Sequence, residues 1–197
     1  MEKNILYEIK EGGYSLQKLA VSHPELLSLK DVPQNPAYHG EGDVLRHTEM
    51  VCEELTKLAP WQALPEEEKA LLFLAAAFHD IGKPVCTKQE DGKWVSPKHT
   101  IVGEKIFRRT AYQEAERFGL TFAQRELVAK LIRCHGLPLW FWTKKQPEVE
   151  LCKAAESIPL KLLYLLAKAD TLGRQETLPS QLPSQVELFG EYARELG

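Results

Sequence analysis

Cysteine is sparse and scattered. Cys52, Cys86, Cys134 and Cys152 form no C-x-x-C pair, which excludes a disulfide framework or a cysteine zinc site of ordinary spacing. Long hydrophobic runs are missing as well. The longest, Ala70 to Phe78, has nine residues and is too short to span a bilayer. The first residues, MEKNILYEIK, carry no apolar signal core, so a cytoplasmic placement with no membrane partner is the expectation. There is no excess of basic charge either. Lys and Arg total 25 against 28 Asp and Glu, and a net charge of −3 gives no broad field toward nucleic acid or anionic lipid. What remains is ordinary for a folded chain: 197 residues, 44% hydrophobic and 27% charged, enough for one domain with a sizeable core.

The pattern along the chain is helical, with apolar residues three and four apart. Residues 14–21 read as a short helix, followed by a Pro- and Gly-rich loop through Pro33, Pro36, Gly40 and Gly42. Asp43 is a candidate N-cap for a helix to about Leu58. Pro65 opens another, with Glu66, Glu67 and Glu68 in its first turn, and it stops near Gly82 and Pro84. Val85 to Val95 predicts a small hairpin about Asp91-Gly92. Ser96-Pro97 then reads as N-cap and first residue of a helix to about Phe118. Further helices fit 122–135, 148–155, 158–172 and 184–195, with a loop at 138–147 bearing Trp140, Phe141 and Trp142. The expected fold is all-α, a compact bundle of about eight helices.

Five polar side chains stand on the apolar stripes of separate helices. His47 lies between Val44 and Val51, His79 continues Leu72 and Ala76, and His99 precedes Val102 and Ile106. His135 continues Val128 and Leu131, and Asp170 continues Leu163 and Leu166. Asp80, beside His79, is a sixth. A single histidine on an apolar face is most simply a satisfied core residue. A set of five accumulating on separate helices favours metal ligation, because a buried carboxylate needs a cation or hydrogen bonds. Six ligands exceed the four of one tetrahedral zinc and suit two metals, or one metal with catalytic groups.

The stretch Phe78-His79-Asp80-Ile81-Gly82-Lys83-Pro84 resembles the HD-domain superfamily of metal-dependent phosphohydrolases. His47, His79, Asp80 and Asp170 fit its pattern in order, and His99 (in KHTIVGEKI) and His135 (in LIRCHG) match the added histidines of two-metal members. The segments VPQNPAYHGEGDVLRHTEMV, AAAFHDIGKP and AKADTLGR are similar to the C-terminal HD domain of bacterial CCA-adding tRNA nucleotidyltransferases. The Gly-Ser and paired-Asp signature of a nucleotidyltransferase head is absent, so the resemblance implies a stand-alone hydrolase. It implies a single HD domain over 1–197, with a core of about 25–175 and helical extensions at both ends. It also implies one or two divalent ions (Mn, Ni, Fe, Co, Mg or Zn), with Asp80 as the catalytic bridging carboxylate. His47, His79 and Asp170 would complete one metal; His99 and His135 would complete the other.

The implied reaction is attack of metal-activated water on phosphomonoesters or 2′,3′-cyclic phosphodiesters of nucleotides or RNA ends. A non-catalytic nucleotide-binding HD module and a di-iron HD oxygenase are the alternatives. No protein partner is expected beyond a possible homodimer. Lys83 is either a catalytic or substrate-binding phosphate contact or a solvated helix-end lysine. Arg174, four residues after Asp170, is either a phosphate contact or a salt-bridge partner. His39 is either a substrate-binding group or proton donor, or an exposed loop histidine. Lys105, Arg108 and Arg109 read as a solvated basic face. Lys144 and Lys145 beside Trp140 and Trp142 offer either a stacking site for a nucleotide or single strand, or a covered core edge or dimer contact.

Overall fold

The computed structural model of the chain describes residues 4–177 and 180–196. It is helical apart from one small hairpin. The elements run α1 (Ile5–Glu11), α2 (Leu16–Ser22), a 3-10 segment (Pro24–Leu29), α3 (Val44–Lys57), α4 (Ala59–Gln62) and α5 (Glu66–Phe78). They continue with α6 (Lys83–Cys86), β1 (Lys88–Glu90), β2 (Lys93–Val95), α7 (His99–Gln113), α8 (Ala115–Phe118) and α9 (Phe122–Cys134). A second 3-10 segment (Pro138–Thr143), α10 (Pro147–Ala155), α11 (Leu160–Leu172) and α12 (Leu182–Glu195) close the chain.

The caps explain the main boundaries. The Asp43 carboxylate accepts the Arg46 N–H at the start of α3, as its sequence position predicts. Thr121 and Gln124 form a reciprocal capping box on α9. Helix α5 enters with three glutamates at its positive end and is buried from Ala70 onward. Because both its faces are covered, α5 is the central element. It packs against α1, α3, α9 and α11, and its Phe73, Leu72 and Phe78 sit in a hydrophobic cluster running from Ile5 to Ala193. Around this axis α7 lies on α9, and α11 lies on α3 and α12.

Three details differ from the sequence reading. Helix α1 and the single turns α4 and α6 lie outside the eight expected helices; Asn4 caps α1, and its Ile5, Leu6 and Ile9 are buried. The helix expected from Ser96 begins instead at His99, because Lys98 takes a left-handed conformation with φ 61°. It also breaks at Glu114, splitting α7 from α8. The expected loop at 138–147 contains a 3-10 segment whose Phe141 is fully buried against Phe189, so of its three aromatics Trp140 and Trp142 are the exposed ones. The hairpin forms as expected, with Gln89 opposite Trp94. Asp91 and Gly92 both have positive φ, the signature of the tight turn that matches strand twist.

A polar clasp ties the N-terminal elements to α8. His23 is fully buried, and Arg117 reaches its Nδ1 at 2.9 Å and the two Glu25 oxygens at 3.1 and 3.2 Å. Histidine 23 is thus a satisfied core residue.

Candidate metal centre

The loop and helices bring all six candidate ligands together. His79 and Asp80 lie just beyond α5, His47 on α3, His99 on the first turn of α7, His135 just beyond α9 and Asp170 on the last turn of α11. All but His99 are fully or almost fully buried. His47 Nε2 lies 3.1 Å from Asp170 Oδ1 and 3.9 Å from Asp80 Oδ2. His79 Nε2 lies 3.2 Å from the same Asp80 Oδ2. The other Asp80 oxygen, Oδ1, faces His99 Nε2 at 3.4 Å and His135 Nε2 at 3.9 Å. One carboxylate therefore divides its two oxygens between two imidazole pairs.

The rings are oriented by the backbone. His79 Nδ1 donates to the Ala76 carbonyl (2.7 Å), His99 Nδ1 to that of Ser96 (2.8 Å) and His135 Nδ1 to that of Ile132 (2.8 Å). A carbonyl can only accept, so Nδ1 holds the proton and the Nε2 lone pair is left for the centre. For His79 and His135 the local cause is plain. Each residue ends its helix, and its ring takes up the carbonyl three residues back, where the backbone pattern is running out.

Two close approaches set the distances between elements. A Cβ on Gly82 would collide with the His99 carbonyl oxygen, and one on Gly173 would lie 2.7 Å from the Val51 nitrogen. Glycine at these places lets the turn after Asp80 meet α7 and the end of α11 meet α3.

The electrostatics are those of a site built for positive charge. Burial alone would raise the Asp80 carboxyl, yet the charges on His79 and Lys83 hold it well below the usual range. Asp170 is likewise held low against burial by Arg174 and His47. Burial opposes charge on His79, but the facing Asp80 raises it. Burial, with the charge of His79, lowers His135 to about 3, and burial lowers His99. Despite these neighbours, His79 Nε2 and both Asp80 oxygens have no geometrically acceptable hydrogen bond. Buried polar atoms left this way are rare. A cation among them would satisfy all three, so the residues fit a divalent metal. The groups His47–His79–Asp170 and His79–Asp80–His135 each place their ligand atoms within 4.8 Å of one another.

Four neighbours surround the ligands. Lys83 is buried rather than solvated at a helix end. Its Nζ lies 2.7 Å from Asp80 Oδ2, an ion pair without hydrogen-bond angles, and donates to Gln34 Oε1 at 2.7 Å. Arg174 lies beyond the end of α11 but turns back to donate to both oxygens of Asp170, at 2.9 and 3.0 Å. That is the salt-bridge arrangement. His39 is buried, not an exposed loop residue; its Nδ1 lies 2.8 Å from Glu41 Oε1 and its ring 4.7 Å from that of His47. Burial lowers His39 to about 4, against the hydrogen bond to Glu41.

Glu41 is the residue the sequence reading passed over. The same Oε1 lies 2.9 Å from His47 Nδ1, though off the ring's N–H direction, and Oε2 accepts the Gln175 N–H at 2.9 Å. Burial would raise Glu41, but His39, His47 and the Gln175 amide hold it far below the usual range. The available signal was the His-x-Glu spacing in the loop just before the first ligand helix. Gln34 had no comparable signal.

Other candidates stand apart. Arg108 bridges Glu104 and Glu126 between α7 and α9 instead of pointing freely into solvent. Trp142 packs on Phe141 and Tyr192, which is the covered core edge. A cavity of about 610 Å³ beside Leu160 and Tyr164 has none of the six ligands in its wall, and its volume does not make it the chemical site.

A buried imidazole–carboxylate centre assembled from the ends of several helices defines a metal-site class of all-α protein. The chain belongs to the HD-domain family: the family model described as "HD domain" matches residues 43–172. That superfamily is one of metal-dependent phosphohydrolases, and HD domains bind divalent metals. Among curated relatives, the chain is 29% identical over 161 residues to a "Multifunctional CCA protein" of Vibrio vulnificus, covering 81% of this chain and 33% of the relative. Proteins of the same name from Shewanella frigidimarina and Hahella chejuensis are 39% and 32% identical, over 45% and 50% of this chain and 18% and 19% of theirs. The chain thus spans a third or less of the length of these relatives. Among the described residues, no helix is long and apolar enough to cross a membrane.

Proposed function

We propose that this chain hydrolyses phosphate esters, using divalent metal held by His47, His79, Asp80, His99, His135 and Asp170. The observation that carries the reading is the division of Asp80. Its Oδ2 faces His79 and His47, while its Oδ1 faces His99 and His135. A bridging carboxylate between two imidazole sets suits two ions. When bound, the metal would neutralise phosphoryl oxygens and bring the pKa of its water toward about 7.

The chain's own groups supply the rest. Lys83 places a positive charge against Asp80 at the floor of the centre, where an anionic ester needs one. Arg174 fixes Asp170 through a forked pair, so that its carboxylate holds one orientation. His39 donates its Nδ1 proton to Glu41, which leaves the Nε2 lone pair to accept a proton from substrate or water. His99 is the least buried of the six, with its side chain 24% exposed, and gives the centre its opening to solvent. Nucleotides and RNA ends, including 2′,3′-cyclic phosphates, are the substrates this reading favours. Similarity to proteins named multifunctional CCA protein supports that choice.

The test is a hydrolysis screen on 2′-, 3′- and cyclic nucleotides with Mn, Ni, Co, Mg and Zn, each with and without chelator. The reading predicts metal-dependent release of phosphate or ring opening, lost in Asp80→Ala. Activity that survives both chelation and Asp80→Ala would contradict it.

A further inference from the structure

We propose that the cavity of about 370 Å³ between the Ala37–Tyr38 loop, the Leu139–Thr143 segment and the start of α12 is a subsite for an uncharged planar heterocycle. The ligand it fits is the base of a nucleotide whose phosphate lies at the metal centre. This second half rests on the function proposed above; the cavity's preference for a neutral ring does not.

The wall has the chemistry of base recognition. Tyr38 and Trp140 line it, and both are large aromatics left 37% and 44% exposed. An exposed aromatic offers a face for stacking, and stacking tolerates any base. The remaining polar groups are amides and hydroxyls: Gln181, Gln185, Thr143 and Ser180. Among the described residues, no charged side chain lines the cavity. It is therefore unsuited to a phosphate or carboxylate and suited to a neutral group that both donates and accepts hydrogen bonds. Gln185 is already oriented, because its Oε1 accepts the Trp142 backbone N–H at 3.1 Å, leaving its amide NH2 as donor. Leu139 forms an apolar floor, packed with Ala167, Leu182 and Val186.

Three chain segments run from its wall to residues of the metal centre. Tyr38 immediately precedes His39, whose ring touches that of His47. Leu139 follows His135 by four residues, and Ala167 under the floor precedes Asp170 by three on α11. The Tyr38 loop is also fixed. The Ala37 N–H donates to Asn35 Oδ1 at 3.0 Å, the Ala37 carbonyl accepts the Thr177 N–H at 3.3 Å, and the Gly40 N–H donates to the Gln175 carbonyl at 2.8 Å. A cavity with rigid walls loses little entropy when a flat ligand enters.

The experiment separates the two halves. Nucleosides, which carry no phosphate, are titrated into chelator-treated protein and followed by tryptophan fluorescence and calorimetry. In parallel, KM is measured for nucleoside phosphates and for ribose 5-phosphate, which has no base. The proposal expects saturable nucleoside binding that survives chelation and Asp80→Ala. Trp140→Leu and Tyr38→Leu should each weaken it about tenfold or more. Both should raise KM for nucleotides by a similar factor and leave ribose 5-phosphate unchanged. Both side chains are exposed, and circular dichroism and melting curves verify that the variants fold. Nucleosides that fail to bind, or a Trp140→Leu variant indifferent to the base, would overturn the subsite. If nucleosides bind through Trp140 and no phosphate ester is cleaved, the subsite stands and the hydrolase reading falls.

Discussion

Asp80 is a carboxylate in the interior with two oxygens, two imidazole pairs and one lysine around it. Taking such an ion out of water costs several kcal/mol, on the order of magnitude known for buried charges, and since neither oxygen has a hydrogen bond the offset falls to positive charge. Replacing it with alanine should remove metal and hydrolysis together, while far-ultraviolet circular dichroism stays native. Metal content measured on the purified variant checks this, and full occupancy would contradict the role given to Asp80. Glu41 acts one step further out, between His39 and His47. Carboxylates that hold a ligating histidine typically contribute about ten- to a hundredfold in metal affinity. Glu41→Gln, which keeps size and removes charge, should lower affinity within that range in a competition titration with a coloured chelator. An unchanged affinity would reduce Glu41 to a loop anchor for Gln175.

Between elements, the centre depends on how closely helices approach. Gly82 stands against the His99 carbonyl and the Gly103 nitrogen, both backbone atoms that cannot swing aside. Gly82→Ala should cost about 1–3 kcal/mol in urea unfolding and shift His99 away from Asp80, lowering metal occupancy beyond what stability loss explains. The α7–α9 pair is held in addition by Arg108, which bridges Glu104 and Glu126. Burial would raise Glu126, but its hydrogen bonds from Arg108 and Arg125 lower it. A carboxylate depressed in the folded state contributes stability above its unfolded pKa and loses that contribution as the pH falls through the folded value. The stability gap between wild type and Arg108→Ala should therefore narrow in acid, below about pH 4. A gap that widens there would contradict the pairing.

The sequence made the helices legible because their apolar stripes repeat with helical period. It made the ligand set legible because polar residues interrupt those stripes. Glu41 and Gln34 were hidden for a physical reason. They sit in a loop without periodicity, and they meet His47 and Lys83 only through tertiary packing. Ser96-Pro97 has the chemistry of a helix cap, but the left-handed turn at Lys98 delays the start of α7 to His99, and the Ser96 carbonyl accepts from the His99 ring.

For the whole molecule, metal and fold are linked. The centre joins α3, the end of α5, α7, the end of α9 and α11, so a cation bound there ties together most of the bundle. Ligand present at 100 times its dissociation constant adds about 2.7 kcal/mol to the folded state. Melting temperature should rise with added Mn or Ni and fall back with chelator. Asp80→Ala should show no such response. The most direct test of the account is anomalous diffraction from a crystal grown with Mn. Density should lie among His47, His79, Asp80 and Asp170, within about 2.0–2.3 Å of ligand atoms, with a second peak toward His99 and His135 when two ions bind. An anomalous map with no peak within coordination distance of Asp80, from protein that has taken up metal in solution, would contradict the central claim that these helices converge on a shared cation.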